Sequence, residues 1–114
     1  MATIMAIMAR RPPYVLAFVD AVADHLRAID VKHHSLIRQK IRKQLLFEPE
    51  VETANRKPLR RPAAFGATWE IRFGPKNRFR VLYDVDQEAR MVIILAMGEK
   101  LRERLFIGGE EVEL

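Results

Sequence analysis

Two arginines in the stretch WEIRFGPKNRFRVLYDVD, residues 69–86, have the chemistry needed to hold a phosphate. Arg72 precedes the Gly-Pro turn and Arg80 follows it. Arginine keeps its proton at neutral pH and presents a planar fork of N–H donors that matches phosphate oxygens. Like charges that face each other across a strand pair repel, and a bound anion would offset that repulsion.

The alternation of side chains predicts that both arginines lie on the same face of a strand pair. If Phe73 lies opposite Phe79, the aromatic and β-branched residues cover one face and Arg72 lies opposite Arg80 on the other. A slip of one residue would mix charged with apolar side chains, whereas a slip of two would keep the faces. The assignment of faces is therefore more strongly determined than the direct pairing.

A third strand, MVIILAMG (residues 91–98), is apolar on both faces and is predicted to be central. Extending the pattern places Arg80 near Ala96 and Gly98, whose small side chains leave space for an anion above the sheet. The alternative is that Arg72 and Arg80 form ion pairs with Glu70 and Asp84 on a solvated face.

The segment before this meander predicts one strand and two helices. YVLAFVD (14–20) is typical of a strand, and Asp20 and Asp30 are candidate N-caps for helices over 21–29 and 31–47. Ile37, Ile41 and Leu45 recur every four residues and predict the buried stripe of the second helix. Residues 50–68 are predicted to form a loop with a basic cluster of Arg56, Lys57, Arg60 and Arg61.

Composition indicates a single domain that carries positive charge. The 114 residues are 49% hydrophobic and 31% charged, with a net charge of +5. A basic chain favours a polyanionic or acidic partner. There is no cysteine, which fits a reducing cytoplasm, and no apolar run of the roughly 20 residues that a membrane span needs. We expect a tail over residues 1–11, a domain over 12–109 and an acidic tail over 110–114.

The motifs KPL, WEIRFG, FRVLYDVD and ILAMGEK follow one another with suitable spacing, and with them the chain resembles the RelE/ParE family of bacterial toxins over roughly residues 14–107. The resemblance implies an α+β domain, with the order strand, helix, helix and three-stranded antiparallel meander and with the helices on one face of the sheet. It also implies a cytoplasmic toxin of a type II toxin–antitoxin module, neutralised by a cognate antitoxin.

RelE-like members of that family cleave mRNA on the ribosome, so the resemblance implies a metal-independent endoribonuclease without a cofactor. Arg80 matches the arginine that holds the scissile phosphate, and Arg72 and Lys100 fall at further basic positions. Glu70, Lys100 and Lys57 are candidate general bases. We expect the surrounding basic side chains to contact RNA: Arg56, Lys57, Arg60, Lys76, Arg78, Arg102 and Arg104.

Two positions depart from the nuclease pattern. Glu70 stands where a lysine is frequent, and Phe106 falls about where a catalytic tyrosine would lie. These departures leave two alternatives open: a ParE-like, non-enzymatic inhibitor of DNA gyrase, or a degenerate toxin that binds antitoxin only. For the tail GGEEVEL there are three interpretations: its glutamates fold back onto the phosphate site and compete with RNA, Val112 and Leu114 pack on the domain edge, or the tail is disordered.

Overall fold

The computed structural model describes residues 11–60 and 64–113. Of the expected N-terminal tail, only Arg11 belongs to the described residues, and Arg61 of the basic loop lies outside them. In the described ranges, no helix is both long enough and apolar enough to cross a membrane.

Two helices follow the first strand, as the sequence predicts. Strand β1 (Val15–Phe18) leads into α1 (Ala21–Arg27), and a 3₁₀ turn (Val31–His33) leads into α2 (His34–Leu45). The Asp30 carboxylate accepts a hydrogen bond from the N–H of Lys32, which confirms the predicted cap. The N-cap predicted at Asp20 is wrong, because that residue already has helical backbone angles and its side chain caps nothing.

The remaining strands form an antiparallel meander in chain order. They are β2 (Arg56–Pro58), β3 (Trp69–Phe73), β4 (Phe79–Asp86), β5 (Met91–Leu101), β6 (Arg104–Ile107) and β7 (Glu110–Val112). Strand β1 pairs with β5 in parallel, with Val15 opposite Met91. The predicted α+β architecture and its element order are therefore confirmed.

The main core lies between the helices and one face of the sheet. Ile37, Ile41 and Leu45 are buried there, as their spacing predicts, and they contact the apolar face of β3 to β5. A second, smaller cluster covers part of the opposite face and is built from Ala67, Leu82, Ala96 and Ile107, with Leu59, Leu95, Leu105 and Val112 packed around it. The helices thus cover one face and leave the other to the arginines.

Three short strands were not predicted. Strand β2 lies within the segment expected to be a loop, β6 follows the predicted central strand, and β7 lies in the expected acidic tail. The β5–β6 turn consists of Arg102 and Glu103, both with positive φ, and the β6–β7 turn consists of Gly108 and Gly109. Gly108 and Gly109 therefore form a tight hairpin turn rather than the pivot of a flexible tail.

One edge of β5 changes partner, and a histidine completes its hydrogen bonding. Strand β1 pairs with residues 91–94 of β5, and β6 pairs with residues 98–101. Between these two partners, the N–H of Met97 donates to Nδ1 of the buried His25, 3.3 Å away. Burial lowers the pKa of His25 below its ordinary value of 6.5, and the nearby Asp24 opposes that change.

We expect the free energy of unfolding to decrease as the pH falls below about 6.5. The unfolded chain binds a proton at His25 more readily than the folded chain does. The contribution of neutral His25 to the free energy of unfolding is therefore complete above pH 6.5, and it is lost as the pH falls through the lower pKa of the folded state. Urea denaturation between pH 5 and 8 measures this dependence. The variant His25→Asn, whose amide oxygen can accept the Met97 hydrogen bond, should flatten it; an equally steep dependence in the variant would contradict the assignment.

Candidate functional site

The centre of the site is a carboxylate buried between two guanidiniums. The register of β3 and β4 places Arg72 opposite Arg80 and Phe73 opposite Phe79, which is the predicted pairing. Glu70, with its side chain only 2% exposed, accepts a hydrogen bond from Nε of Arg72 at 2.6 Å. Its second oxygen lies 3.7 Å from a terminal nitrogen of Arg80. Glu70 thereby offsets the repulsion between the two arginines.

The predicted ion pairs are confirmed for Glu70 and wrong for Asp84. The arginines do pair with Glu70, but Asp84 instead accepts a hydrogen bond from the Thr68 hydroxyl at 2.6 Å. The face is also not fully solvated, because Arg80 is only 8% exposed. Burial lowers the pKa of Arg80 from its usual high value, and Glu70 opposes this change. Arginine nevertheless stays cationic at neutral pH, so Arg80 can hold an anion.

Arg80 adjoins a cavity of about 450 Å³, which we call the arginine cavity; Arg72 does not line it. It is lined by Arg80, Lys100, Glu103, Arg104, Leu105, Glu111, Val112 and Glu113. The space expected above Gly98 is not part of it. A Cβ at Gly98 would lie 2.9 Å from Ile107 Cγ1 and from the Phe106 carbonyl oxygen, so β6 fills that space. Any bound anion therefore contacts Arg80 from the side of Lys100 and Arg104.

Among the predicted basic residues, Lys100 lines the same cavity as Arg80. Its side chain is one-third exposed, lines the arginine cavity and forms a 3.2 Å ion pair with Glu103. Arg104 lines the same cavity and faces Glu111 at 3.6 Å. Lys57 lies opposite Glu70 in the β2–β3 pairing, and thus on the arginine face, where it forms an ion pair with Glu52.

Other basic residues are held elsewhere. Arg56 is buried beneath α2, where its guanidinium donates to the carbonyls of Gln44 and Val51 and to the Gln44 amide oxygen. This position gives it a structural role and removes it from the RNA-facing set. Arg60 is exposed and lines neither the arginine cavity nor the cavity at the strand turns. Lys76, Arg78 and Arg102 line that second cavity.

No tyrosine faces the arginines in the described part of the chain. Tyr83 is fully buried, and its hydroxyl donates to the Pro49 carbonyl at 2.6 Å. Burial raises the pKa of that hydroxyl far above its ordinary value. Phe106 pairs with Glu99, while Ile107 pairs with Gly98, the residue opposite Arg80. Position 106 therefore points to the face opposite the arginines, so a tyrosine there would not reach them.

The acidic C-terminal segment is part of the site. Strand β7 pairs with β6, and Glu111 and Glu113 line the arginine cavity while Val112 packs on the small apolar cluster. The predicted edge packing is thus confirmed for Val112, while Leu114 lies outside the described residues and competition of the glutamates with RNA stays a prediction. In the described ranges, no group of histidine and acidic side chains is placed to bind a metal ion.

No protein-family model and no curated protein matches the chain. Among solved structures, it is similar to a chain in the crystal structure of the toxin–antitoxin complex RelBE2 from Mycobacterium tuberculosis. The TM-score is 0.58 and the sequence identity 24%, over 76% of this chain and 98% of that chain. The likeness establishes the fold and confirms the RelE-like architecture predicted from the sequence.

We expect Glu70→Ala to destabilise the protein by about 3 kcal/mol, because it leaves the buried Arg80 without its counter-charge. Glu70→Gln should cost less, since its amide oxygen can still accept from Arg72. The matched control is Glu52→Ala, which removes an exposed ion pair with Lys57 and should change stability by less than about 1 kcal/mol. Urea denaturation measures all three variants, and equal losses for Glu70→Ala and Glu52→Ala would contradict the buried triad.

Proposed function

We propose that this chain is the toxin of a type II toxin–antitoxin module and that it inhibits translation by cleaving mRNA. The observation that carries the proposal is the Arg72–Glu70–Arg80 triad, in which Glu70 and Arg80 are buried and Arg80 lines a cavity that also holds Lys100 and Arg104, together with three glutamates. The similarity of the fold to a chain of a toxin–antitoxin complex supports the module. The partners are then a cognate antitoxin and mRNA, which the toxin meets free or on the ribosome.

The reaction that suits these residues is attack of an RNA 2′-hydroxyl on the adjacent phosphorus. Negative charge develops on the phosphorane oxygens in the transition state, and preorganised cations stabilise it. Arg80 is held by Glu70 and by its Nε hydrogen bond to the Asn77 carbonyl at 3.3 Å, so its fork is oriented before substrate binds. Arg72 is 43% exposed and supplies the second guanidinium.

Lys100 is the group we assign to proton transfer. The 2′-hydroxyl proton passes to solvent water as the 2′ oxygen bonds to phosphorus, the bond from phosphorus to the 5′ oxygen breaks, and the Lys100 ammonium, which lines the arginine cavity, donates a proton to that leaving oxygen. Glu70 is poorly placed as a general base, because Arg72 and Arg80 engage its two oxygens. We therefore give Glu70 the role of orienting the arginines rather than that of accepting the 2′-hydroxyl proton.

The alternative, a non-enzymatic toxin that binds DNA gyrase, is favoured by two specific observations. The carboxylate nearest the arginines is engaged in ion pairs, and position 106 points away from them. The two functions differ in what happens on induced expression. Loss of translation with cut mRNA supports the nuclease, whereas filamentation and DNA damage with intact mRNA support gyrase inhibition.

The decisive experiment incubates purified protein with free RNA and with programmed ribosomes and maps the cut ends. We expect 2′,3′-cyclic phosphate and 5′-hydroxyl ends, and we expect Arg80→Lys to reduce the cleavage rate by roughly 10²-fold or more, because the charge remains but the fork is lost. Arg72→Lys should reduce the cleavage rate by a smaller factor. The control is Arg42→Gln, an exposed change on α2. Intact RNA with the wild type, or full activity in Arg80→Lys, would contradict the proposal.

The acidic strand β7 should weaken RNA binding. Glu111 and Glu113 line the same cavity as Arg80, so their charges oppose a phosphate there. The double variant Glu111→Gln/Glu113→Gln keeps the strand and should bind a noncleavable single-stranded oligonucleotide more tightly, by several-fold at low salt. Fluorescence anisotropy at fixed salt measures the affinity, and Glu48→Gln/Glu50→Gln on the far side is the matched control. Unchanged affinity would mean that β7 does not compete with RNA.

A further inference from the structure

A second basic cavity lies between two strand turns. We call it the tip cavity; it has a volume of about 360 Å³ and is lined by Pro75, Lys76, Arg78, Lys100, Leu101, Arg102 and Glu103. One wall comes from the β3–β4 turn and the other from the β5–β6 turn. The two walls are tied together, because the backbone N–H of Lys100 donates to the Arg78 carbonyl at 2.7 Å. The position of the cavity is therefore fixed by the sheet.

The cations of the tip cavity are only partly neutralised. Arg78 forms a 2.5 Å ion pair with Glu99, and Lys100 pairs with Glu103. Lys76 and Arg102 are exposed, and neither has an acidic partner within residues 11–60 and 64–113. Two positive charges are thus free to meet an anion at the same cavity.

Both free cations lie on strained backbone. Lys76 has φ of 54° and Arg102 has φ of 51°, in the left-handed region that is unfavourable for a residue with a Cβ. Glycine or asparagine would fit these turns at lower cost. The turns therefore hold long basic side chains where the backbone alone favours other residues, and functional sites are where such strain concentrates.

The tip cavity and the arginine cavity adjoin each other. Lys100 and Glu103 line both of them, so an anion in one is separated from an anion in the other by the Lys100 side chain. Single-stranded RNA carries one phosphate per nucleotide, and cationic grooves that follow its backbone bind it without reading bases. An acidic protein segment fits less well, because Pro75 and Leu101 are the only apolar residues in the lining and interfaces between proteins rely on apolar anchors.

We propose that the tip cavity binds the phosphate next to the scissile one, so that the substrate is an extended single RNA strand held at two successive phosphates. The proposal rests on the RNA-directed function proposed above. Arg80 and Lys100 hold the first phosphate, and Lys76 and Arg102 hold the second. The minimal substrate is then a segment of single strand with at least one nucleotide beyond the cleaved linkage.

The experiment uses the full chain and a noncleavable 2′-O-methyl hexanucleotide. The variant Lys76→Asn/Arg102→Asn removes both free charges and keeps the turns, since asparagine tolerates positive φ. Arg42→Gln/Lys43→Gln on α2 makes the same charge change at exposed positions away from the cavity. Fluorescence anisotropy should show about tenfold weaker binding in the asparagine variant. The slope of log binding constant against log salt concentration should be smaller in magnitude by about 0.7, the value for one lost phosphate contact on a single strand. The control variant should bind as the wild type does.

Chemical neutralisation of the ligand locates the contact. Hexanucleotides with one methylphosphonate linkage, placed on either side of the central phosphate, should bind the wild type more weakly on one side. The asparagine variant should not distinguish that ligand from the fully charged one, because the two changes remove the same interaction. The proposal would be overturned if the affinity losses from the ligand change and the protein change were additive. It would also be overturned if the asparagine variant bound with wild-type affinity, or if the wild type bound no oligonucleotide.

Two further outcomes separate this proposal from others. If the wild type binds the hexanucleotide as described but never cuts RNA, the nuclease function fails and the second phosphate site stands. If the asparagine variant loses affinity for a polyglutamate peptide but not for the hexanucleotide, the tip cavity recognises an acidic protein and the RNA proposal is overturned.

Discussion

Packing on the apolar face fixes the register between β3 and β4. That register determines which charged side chains lie opposite each other on the other face. Phe73 packs beside Phe79 and Trp69 stacks on Tyr83, so a slip of one residue would bring Arg72 into the core. The same register forces two guanidiniums to face each other. Glu70 makes that arrangement stable, because one buried carboxylate contacts both cations and leaves the triad with a net positive charge. An arriving anion thus meets arginines that are already oriented.

The sequence was sufficient to predict the parts of the fold in which one periodicity dominates. Ile37, Ile41 and Leu45 repeat at helical spacing over two turns, and the alternation in β3 and β4 predicted their pairing correctly. The place of Arg80 beside Gly98 follows from the same alternation. The role of Glu70 does not, because alternation assigns a side chain to a face but not to one of the partners within its reach.

The missed elements lack the signals on which sequence reasoning depends. Strand β2 has three residues and includes a proline, so it shows no alternation of polar and apolar side chains. The burial of Arg56 depends on its contact with Gln44, which is distant in the sequence. The β5–β6 turn has Arg102 and Glu103 where a tight turn normally has glycine or asparagine. Without that turn the register of β6 was unknown, and so was the face on which Phe106 lies.

The parallel pairing of β1 with β5 has a consequence for the order in which the chain can fold. Strands β2 to β7 each pair with a neighbour in the sequence, whereas residues 15–18 must wait for residues 91–94. A chain emerging from the ribosome therefore leaves β1 without a strand partner until β5 has been synthesised, whereas α2 can already pack on β3 and β4. The strands of the arginine face pair through short loops, whereas β1 joins the sheet through its longest loop closure, and such long-range closures slow folding.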